Sequence, residues 1–127
     1  MKRVLFVEDE PRLRLLCHLE FEPEGYQVLD AGTALEAMEQ LEREGADVVV
    51  LDLRLPDRSG LELLQDILRR WRHLPVIIYT AYDAYREDFL CWGAEAYLIK
   101  SGDLTELKRM VAQLSSAAPE SPGTSSG

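Results

Sequence analysis

Short apolar runs rich in β-branched residues alternate with longer amphipathic segments along most of the chain, and this period constrains the fold most strongly. Five runs are too short for helices and predict strands over residues 4–7, 27–29, 48–51, 76–79 and 96–99. The third and fourth runs are almost wholly apolar, which is typical of interior parallel strands covered by helices on both faces. Right-handed crossovers then predict an α/β fold, a doubly wound parallel sheet of five strands with five helices.

Helices are predicted between the strands by their capping signals. Thr33, Ser59 and Asp103 each place a side-chain oxygen three residues before a glutamate, the pattern of a capping box. Apolar residues recur at helical spacing after Ser59 and after Asp103, which gives each of these helices one apolar face to lay on a sheet. Residues 11–21 and 83–92 complete the set of five helices with weaker signals.

The end of the chain departs from this period. Residues 115–127 contain no large apolar side chain, so burial cannot offset the entropy lost on ordering them. The chain has 127 residues, which suits one domain of ordinary size. We therefore expect one domain over residues 1–114, followed by a flexible tail or linker over residues 115–127.

Composition argues against several classes of protein. No apolar run approaches the roughly 20 residues of a membrane span, and Glu8 interrupts the first apolar run before a secretion signal could form. A cytoplasmic protein without membrane contact is therefore expected. The net charge of −9 disfavours direct binding to nucleic acid. Cys17 and Cys91 lie in apolar helical stretches without metal-ligand spacing, so buried, reduced thiols are expected.

Chemically active side chains follow four of the predicted strands. Glu8 and Asp9 come after the first strand, Asp52 after the third, Thr80 after the fourth and Lys100 after the fifth. The carboxyl ends of parallel strands meet at one edge of the sheet, so these groups should converge there. Two carboxylates some 5 Å apart repel by roughly 3 kcal/mol at an effective dielectric of about 20, so a bound cation is expected. Hard oxygen ligands with room for water suit Mg²⁺.

The chain resembles the receiver domain of two-component response regulators over about residues 2–114. The motifs that carry the resemblance are Glu8-Asp9-Glu10-Pro11 after the first strand, Asp52 followed by Pro56 and Gly60, Thr80-Ala81, and Tyr97-Leu98-Ile99-Lys100. Glu8 stands where the family more commonly has Asp. The resemblance implies a flavodoxin-like sheet with strand order 2-1-3-4-5.

The resemblance implies a chemical role for each site residue. Asp52 would be the nucleophile that accepts a phosphoryl group from the phosphohistidine of a sensor histidine kinase or phosphotransfer protein. Asp9, Asp52 and the backbone carbonyl of Arg54 would ligate Mg²⁺, and Glu8 would act mainly through a bridging water. Lys100 would pair with Asp52 at rest and with the phosphoryl group afterwards.

A conformational switch is also implied. Thr80 would donate its hydroxyl to a phosphoryl oxygen and draw its loop inward, which leaves space for Tyr97 to turn from an exposed to a buried position. The face formed by the fourth helix, fifth strand and fifth helix would then control an effector domain or a homodimer contact. The resemblance thus predicts a phosphorylation-controlled switch rather than an enzyme that turns over a substrate.

Two departures from the family pattern affect the site. Lys100 precedes Ser101 where the family usually has a cis proline, and a cis bond before another residue costs about 2.5–4 kcal/mol. We expect a re-routed loop before the fifth helix, with Lys100 still facing Asp52, and the sequence leaves the conformation of the Lys100–Ser101 bond open. Arg54 and Tyr82, each two residues beyond a motif residue, are bulky and predict slow loss of the phosphoryl group.

Three other functions share parts of this pattern. A haloacid-dehalogenase-type phosphatase would need a second acid at the position of Arg54. A flavodoxin-type FMN protein would need hydroxyl and glycine residues after the first strand, where Glu8-Asp9-Glu10 would repel a phosphate. A receiver-like interaction module that is never phosphorylated stays open, because Ser101 replaces the usual proline.

Overall fold

The computed structural model describes residues 1–117 and contains one parallel sheet. Its strands are β1 (Arg3–Val7), β2 (Gln27–Ala31), β3 (Val48–Leu51), β4 (Val76–Thr80) and β5 (Ala96–Ile99). The order across the sheet is β2-β1-β3-β4-β5, with every neighbouring pair parallel. The predicted doubly wound, flavodoxin-like fold is therefore confirmed.

Five α-helices connect and flank the strands in the described part of the chain. They are α1 (Pro11–Phe21), α2 (Ala34–Arg43), α3 (Gly60–Arg70), α4 (Arg86–Cys91) and α5 (Thr105–Ala117). A short 3-10 turn, Glu22–Glu24, follows α1. Within residues 1–117, no helix has both the length and the apolar character that crossing a bilayer requires.

Apolar layers cover both faces of the sheet, and β3 shows why. All its residues are buried, because successive side chains point to opposite faces and both faces carry helices. Val49 and Leu51 belong to the layer that includes α2 and α3, whereas Val48 and Val50 belong to the layer that includes α1 and α5. The apolar character of the predicted interior strands therefore reflects burial on two sides.

The predicted starts of α2 and α3 are confirmed, whereas α5 begins slightly later than predicted. The hydroxyl of Ser59 accepts a hydrogen bond from the backbone of Glu62 at 3.1 Å, and the Glu62 carboxylate accepts one from the Ser59 backbone at 3.4 Å. Thr33 accepts from the N–H three residues on, at 3.0 Å. Asp103 instead accepts from the backbone and hydroxyl of Thr105, at 2.9 and 2.6 Å, so α5 begins at Thr105.

Helix α4 is shorter than the predicted segment 83–92. At its start the Asp83 carboxylate accepts a hydrogen bond from the Arg86 side chain at 3.1 Å, and the preceding residues form a turn. At its end Gly93 has a φ of 112°, a left-handed conformation that favours glycine and ends a helix. The segment between β4 and β5 is therefore a turn followed by six helical residues.

The predicted start of a flexible tail at residue 115 is wrong for residues 115–117. Helix α5 continues to Ala117, and the buried Ser115 donates its hydroxyl to the carbonyl of Ala112 at 3.4 Å. Such a bond to the preceding turn lets a serine lie within a helix, which composition alone does not reveal. The rest of the predicted tail, residues 118–127, lies outside the described residues.

Cys17 lies on α1, and its thiol is free and buried in the apolar layer that includes α1 and α5, as predicted. Burial is the main cause that raises its pKa, to about 12, so the thiol stays protonated at neutral pH. Cys91 is the last residue of α4, and the prediction that its thiol is buried lies outside the described side chains.

Candidate functional site

Three carboxylates meet at the carboxyl edge of the sheet. Strands β1 and β3 are neighbours, and the backbone N–H of Asp52 donates to the carbonyl of Val7 at 3.0 Å, so the loops after the two strands lie side by side. One carboxylate oxygen each from Glu8, Asp9 and Asp52 lies within 4.8 Å of the other two. Glu8 and Asp52 are buried, whereas Asp9 is exposed.

The ammonium of Lys100 joins this cluster from the end of β5. Its Nζ lies 2.7 Å from Oε1 of Glu8 and 3.1 Å from Oδ2 of Asp52. The backbone N–H of Lys100 donates to the carbonyl of Thr80 at 2.7 Å, which fixes where its side chain starts. One cation is thus shared by two buried anions.

At Glu8 and Lys100, burial and the neighbouring charges shift the pKa in opposite directions. Burial raises the pKa of Glu8, and the hydrogen bond from Lys100 only partly offsets this effect. Burial alone would lower the pKa of Lys100, but its hydrogen bonds and charge attraction to Glu8 and Asp52 outweigh burial and raise it. Lys100 therefore stays charged where it meets the carboxylates.

The loop after Lys100 follows a trans path. No peptide bond in residues 1–117 is cis, so the Lys100–Ser101 bond, whose conformation the sequence left open, is trans. The Ser101 hydroxyl donates to the carbonyl of Asp103 at 3.0 Å and accepts from the Asp103 backbone N–H at 3.2 Å. This turn directs the chain toward α5 while the Lys100 side chain keeps facing Asp52.

Gly60 allows the loop after Asp52 to fold back closely on itself. A Cβ at this position would lie 2.8 Å from the Asp52 carbonyl oxygen and 2.8 Å from the Leu53 Cα. The Gly60 N–H donates to the Leu53 carbonyl at 2.8 Å. Any side chain here would push against the backbone that carries the Asp52 carboxylate.

Arg54 and Tyr82 contact each other on the exposed surface. The Arg54 guanidinium carbon lies 4.5 Å from the centre of the Tyr82 ring, a cation–π distance. Arg54 is in the loop after β3 and Tyr82 in the loop after β4, so the contact joins two of the loops around the carboxylates. The sequence predicted two bulky residues here but did not predict that they touch.

Thr80 and Tyr97 are both buried and meet at one residue. The Thr80 hydroxyl accepts a hydrogen bond from the Tyr82 N–H at 3.4 Å, and the Tyr97 hydroxyl donates to the Tyr82 carbonyl. Tyr97 is only 2% exposed, and burial is the main cause that raises its pKa. The structure therefore shows Tyr97 at the buried end of the movement that the resemblance implies.

Two further residues hold the site loops and were missed from the sequence. Arg14 donates from Nη1 to the backbone carbonyl of Glu8 at 2.6 Å. Asp57 accepts from the backbone N–H groups of Ala34 and Leu35 at 2.9 and 3.0 Å, so it caps α2 from the loop after Asp52. Residues 57 and 34 belong to different β-α units, and no local pattern links them.

The similarity of the chain to known proteins shows its family. A family model described as the response regulator receiver domain matches residues 4–112, which is most of the chain. The chain belongs to this family. The receiver domain predicted from the sequence motifs is therefore confirmed, and receiver domains are the regulatory switches of two-component response regulators.

Among curated proteins, the receiver domain is similar to the transcriptional regulatory protein TrcR of Mycobacterium tuberculosis. The two are 38% identical over 107 residues, which cover 83% of this chain and 42% of TrcR. The chain thus spans less than half the length of this relative.

Two solved structures of one protein give close structural matches to the receiver domain. The response regulator TrrA of Thermotoga maritima, in complex with Mg²⁺ and BeF, has a TM-score of 0.84 and 38% identity, with 90% of this chain and 99% of TrrA covered. The complex of the histidine kinase ThkA with TrrA gives a TM-score of 0.82, 38% identity and coverage of 90% and 98%.

Proposed function

We propose that this receiver domain works in the cytoplasm and accepts a phosphoryl group on Asp52 from the phosphohistidine of a sensor histidine kinase or phosphotransfer protein. The observation that carries the proposal is the Asp52 carboxylate, which lies beside Glu8 and Asp9 and 3.1 Å from the Lys100 ammonium. The solved complex of ThkA with the similar protein TrrA supports a histidine kinase as partner.

Covalent chemistry at Asp52 needs one displacement at phosphorus. A carboxylate oxygen of Asp52 forms the new O–P bond, the P–N bond of the phosphohistidine breaks, and its electron pair remains on the imidazole nitrogen. Lys100 balances part of the negative charge that gathers as the phosphoryl group approaches. Positioning and charge therefore do most of the work, and the domain forms one adduct rather than turning over a substrate.

The carboxylate cluster fits a Mg²⁺ ion by its donor set. Oxygens that ligate one Mg²⁺ at about 2.1 Å lie at most about 4.2 Å apart. The carboxylate oxygens of the cluster lie within 4.8 Å of one another, so they would have to move only slightly closer to bind the ion. We propose Asp9, Asp52 and the Arg54 carbonyl as ligands, with Glu8 acting through water. When bound, Mg²⁺ would offset charge on the phosphoryl oxygens. The Mg²⁺ in the TrrA structure supports this choice.

The proposed output is a change in the face formed by α4, β5 and α5. Thr80 would donate its hydroxyl to a phosphoryl oxygen, and its loop carries the Tyr82 residue that also contacts Tyr97. A change at Asp52 could thus reach β5 through two hydrogen bonds. An effector domain, a separate protein or a second copy of the chain would respond to that face.

Mass spectrometry after incubation with acetyl phosphate and Mg²⁺ tests the proposal. Wild type should gain about 80 Da, and Asp52→Asn should not, because the adduct needs the carboxylate nucleophile. Asp66→Asn is the matched control, because this aspartate on α3 pairs with Arg58 and Arg69 away from the cluster. It should gain the same mass as wild type.

Two outcomes would contradict the proposal. No adduct on wild type would favour a receiver-like module that is never phosphorylated. Steady release of phosphate from excess phosphate monoester would favour a phosphatase, because a receiver forms at most one adduct per chain before slow hydrolysis.

A further inference from the structure

Arg86, the first residue of α4, contacts both the ring and the backbone of Tyr97. Its guanidinium carbon lies 5.1 Å from the centre of the Tyr97 ring. Its Nη1 donates to the Tyr97 carbonyl at 2.7 Å. A planar guanidinium can make both contacts together because its donors point outward in the plane while its face rests on the ring.

Arg86 is itself fixed by its own loop. Its Nε and Nη2 lie 3.1 and 3.0 Å from Oδ1 of Asp83. The carboxylate on one side and the Tyr97 carbonyl on another leave the guanidinium little freedom, so its position over the ring costs little additional side-chain entropy.

Two more groups of the same segment complete the surroundings of the Tyr97 ring. The Phe89 ring lies 6.0 Å from it, at an interplanar angle of 54°. The Tyr82 carbonyl accepts the Tyr97 hydroxyl. The side-chain contacts of Tyr97 described here are thus made by Tyr82, Arg86 and Phe89, which all lie between β4 and β5.

We infer that Arg86 is a positioning residue that holds Tyr97 buried and so biases the switch toward the buried arrangement before the phosphoryl group arrives. The effect on phosphorylation rests on the proposed function, whereas the contacts of Arg86 with Tyr97 do not. An exposed Tyr97 ring would lose the guanidinium above it and the Tyr82 carbonyl, so Arg86 adds to the free-energy difference between the two positions.

The bias should reach the phosphoryl site through Tyr82. Its N–H donates to Thr80, and its carbonyl accepts from Tyr97, so burial of Tyr97 and the placement of Thr80 are linked by one residue. A ligand that binds only the buried arrangement binds more weakly as that arrangement becomes less populated. Arg86 would thus tune how readily Asp52 is loaded without touching the phosphoryl group.

Fluorine NMR on protein labelled with 3-fluorotyrosine tests the inference directly. The chain has five tyrosines, and the signal lost in Tyr97→Phe identifies Tyr97. Broadening by a soluble gadolinium chelate measures exposure. In wild type the Tyr97 signal should be protected, and in Arg86→Gln the ratio of buried to exposed Tyr97 should fall about tenfold, because a cation–π contact and a charged hydrogen bond are lost.

Arg72→Gln is the matched control, because Arg72 is exposed between α3 and β4, at the opposite edge of the sheet. It should leave the Tyr97 signal unchanged. Arg86→Lys keeps the charge but loses the planar face, and Asp83→Asn loosens the anchor, so both should give intermediate exposure. If circular dichroism shows that Arg86→Gln does not fold, the exposure of Tyr97 in these two variants tests the inference.

A second measurement separates this inference from the proposed function. Titration with beryllofluoride and Mg²⁺ should show binding to Arg86→Gln weakened at least about twofold relative to wild type and Arg72→Gln. If no variant bound beryllofluoride, the proposed function would fail while the exposure data still tested Arg86. A protected Tyr97 signal in Arg86→Gln, or in both Arg86→Lys and Asp83→Asn should Arg86→Gln be unfolded, would overturn the inference.

Discussion

Lys100 shows at the scale of single residues how the site is balanced. Its ammonium lies closer to Glu8 than to Asp52, at 2.7 and 3.1 Å, so the glutamate takes part of the charge that the sequence assigned to Asp52 alone. The extra methylene of Glu8, relative to the commoner aspartate, extends its carboxylate toward Lys100. Lys100 is therefore paired with two carboxylates at once.

The contact between Arg54 and Tyr82 predicts a slow loss of the phosphoryl group. Replacing both by alanine removes this contact between the loops after β3 and β4 and should give water easier access to Asp52. We expect the lifetime of the adduct to fall about fivefold, the effect of roughly 1 kcal/mol on the barrier to hydrolysis. The measurement is the time course of adduct loss after the phosphodonor is removed.

The control for this prediction is the pair of changes Arg58→Ala and Tyr85→Ala. Both residues are exposed and lie in the same two loops, but Arg58 pairs with Asp66 rather than with an aromatic ring. An adduct equally long-lived in both double variants and wild type would show that Arg54 and Tyr82 do not shield the site.

At the scale of elements, hydrogen bonds from side chains tie the helices to the loops and strands beside them. Asp57 ties the loop after β3 to the start of α2, and Arg14 ties α1 to the loop after β1. Another contact joins α1 to β2, because the ring nitrogens of His18 lie 2.7 Å from Glu22 and 2.6 Å from Asp30. A protonated imidazole can donate to both carboxylates at once.

His18 predicts a pH-dependent term in the stability of the domain. Partial burial lowers the pKa of His18, but the hydrogen bonds to Glu22 and Asp30 outweigh it and raise the pKa above its ordinary value of 6.5. The folded state therefore holds the proton more tightly than the unfolded chain. The added stability is present in full below about pH 6.5 and is lost as the pH rises through the folded-state pKa.

Urea unfolding between pH 5 and 9 measures this term. In wild type the contribution should be about 1 kcal/mol or less, and His18→Gln should remove it. His73→Gln is the control, because His73 is exposed in the turn before β4 and should leave the profile unchanged. Parallel pH profiles for wild type and His18→Gln would contradict the prediction.

At the scale of the whole molecule, the sheet gathers groups from distant parts of the chain at one edge. Glu8 and Lys100 are separated by 92 residues in sequence yet lie 2.7 Å apart, because β1 and β5 end at the same edge. The chain has a net charge of −9, and part of that charge is concentrated here. A cation that binds this edge should therefore stabilise the whole fold.

We expect Mg²⁺ to raise the unfolding free energy of the domain. A ligand that binds only the folded state adds about 1.4 kcal/mol at ten times its dissociation constant. Asp9→Asn should lose the effect because it removes one carboxylate of the cluster, and Asp66→Asn should keep it. Thermal unfolding with MgCl₂ is to be compared with NaCl at equal ionic strength. An equal gain from both salts would mean that Mg²⁺ acts by screening alone.

The strands and the residue types at the site could be predicted from local patterns in the sequence. The apolar runs placed all five strands, and Asp52, Pro56 and Gly60 in their spacing indicated the family. These signals are local, because strand burial and turn chemistry act on neighbouring residues. They could be read without knowing which strands are adjacent.

Which of these residues touch could not be predicted in this way and is seen only in the folded molecule. The sharing of Lys100 between Glu8 and Asp52, the contact of Arg54 with Tyr82 and the placement of Arg86 over Tyr97 join residues from different loops or from a helix and a strand. Such contacts depend on strand order and on side-chain direction, and neither leaves a periodic trace in one sequence.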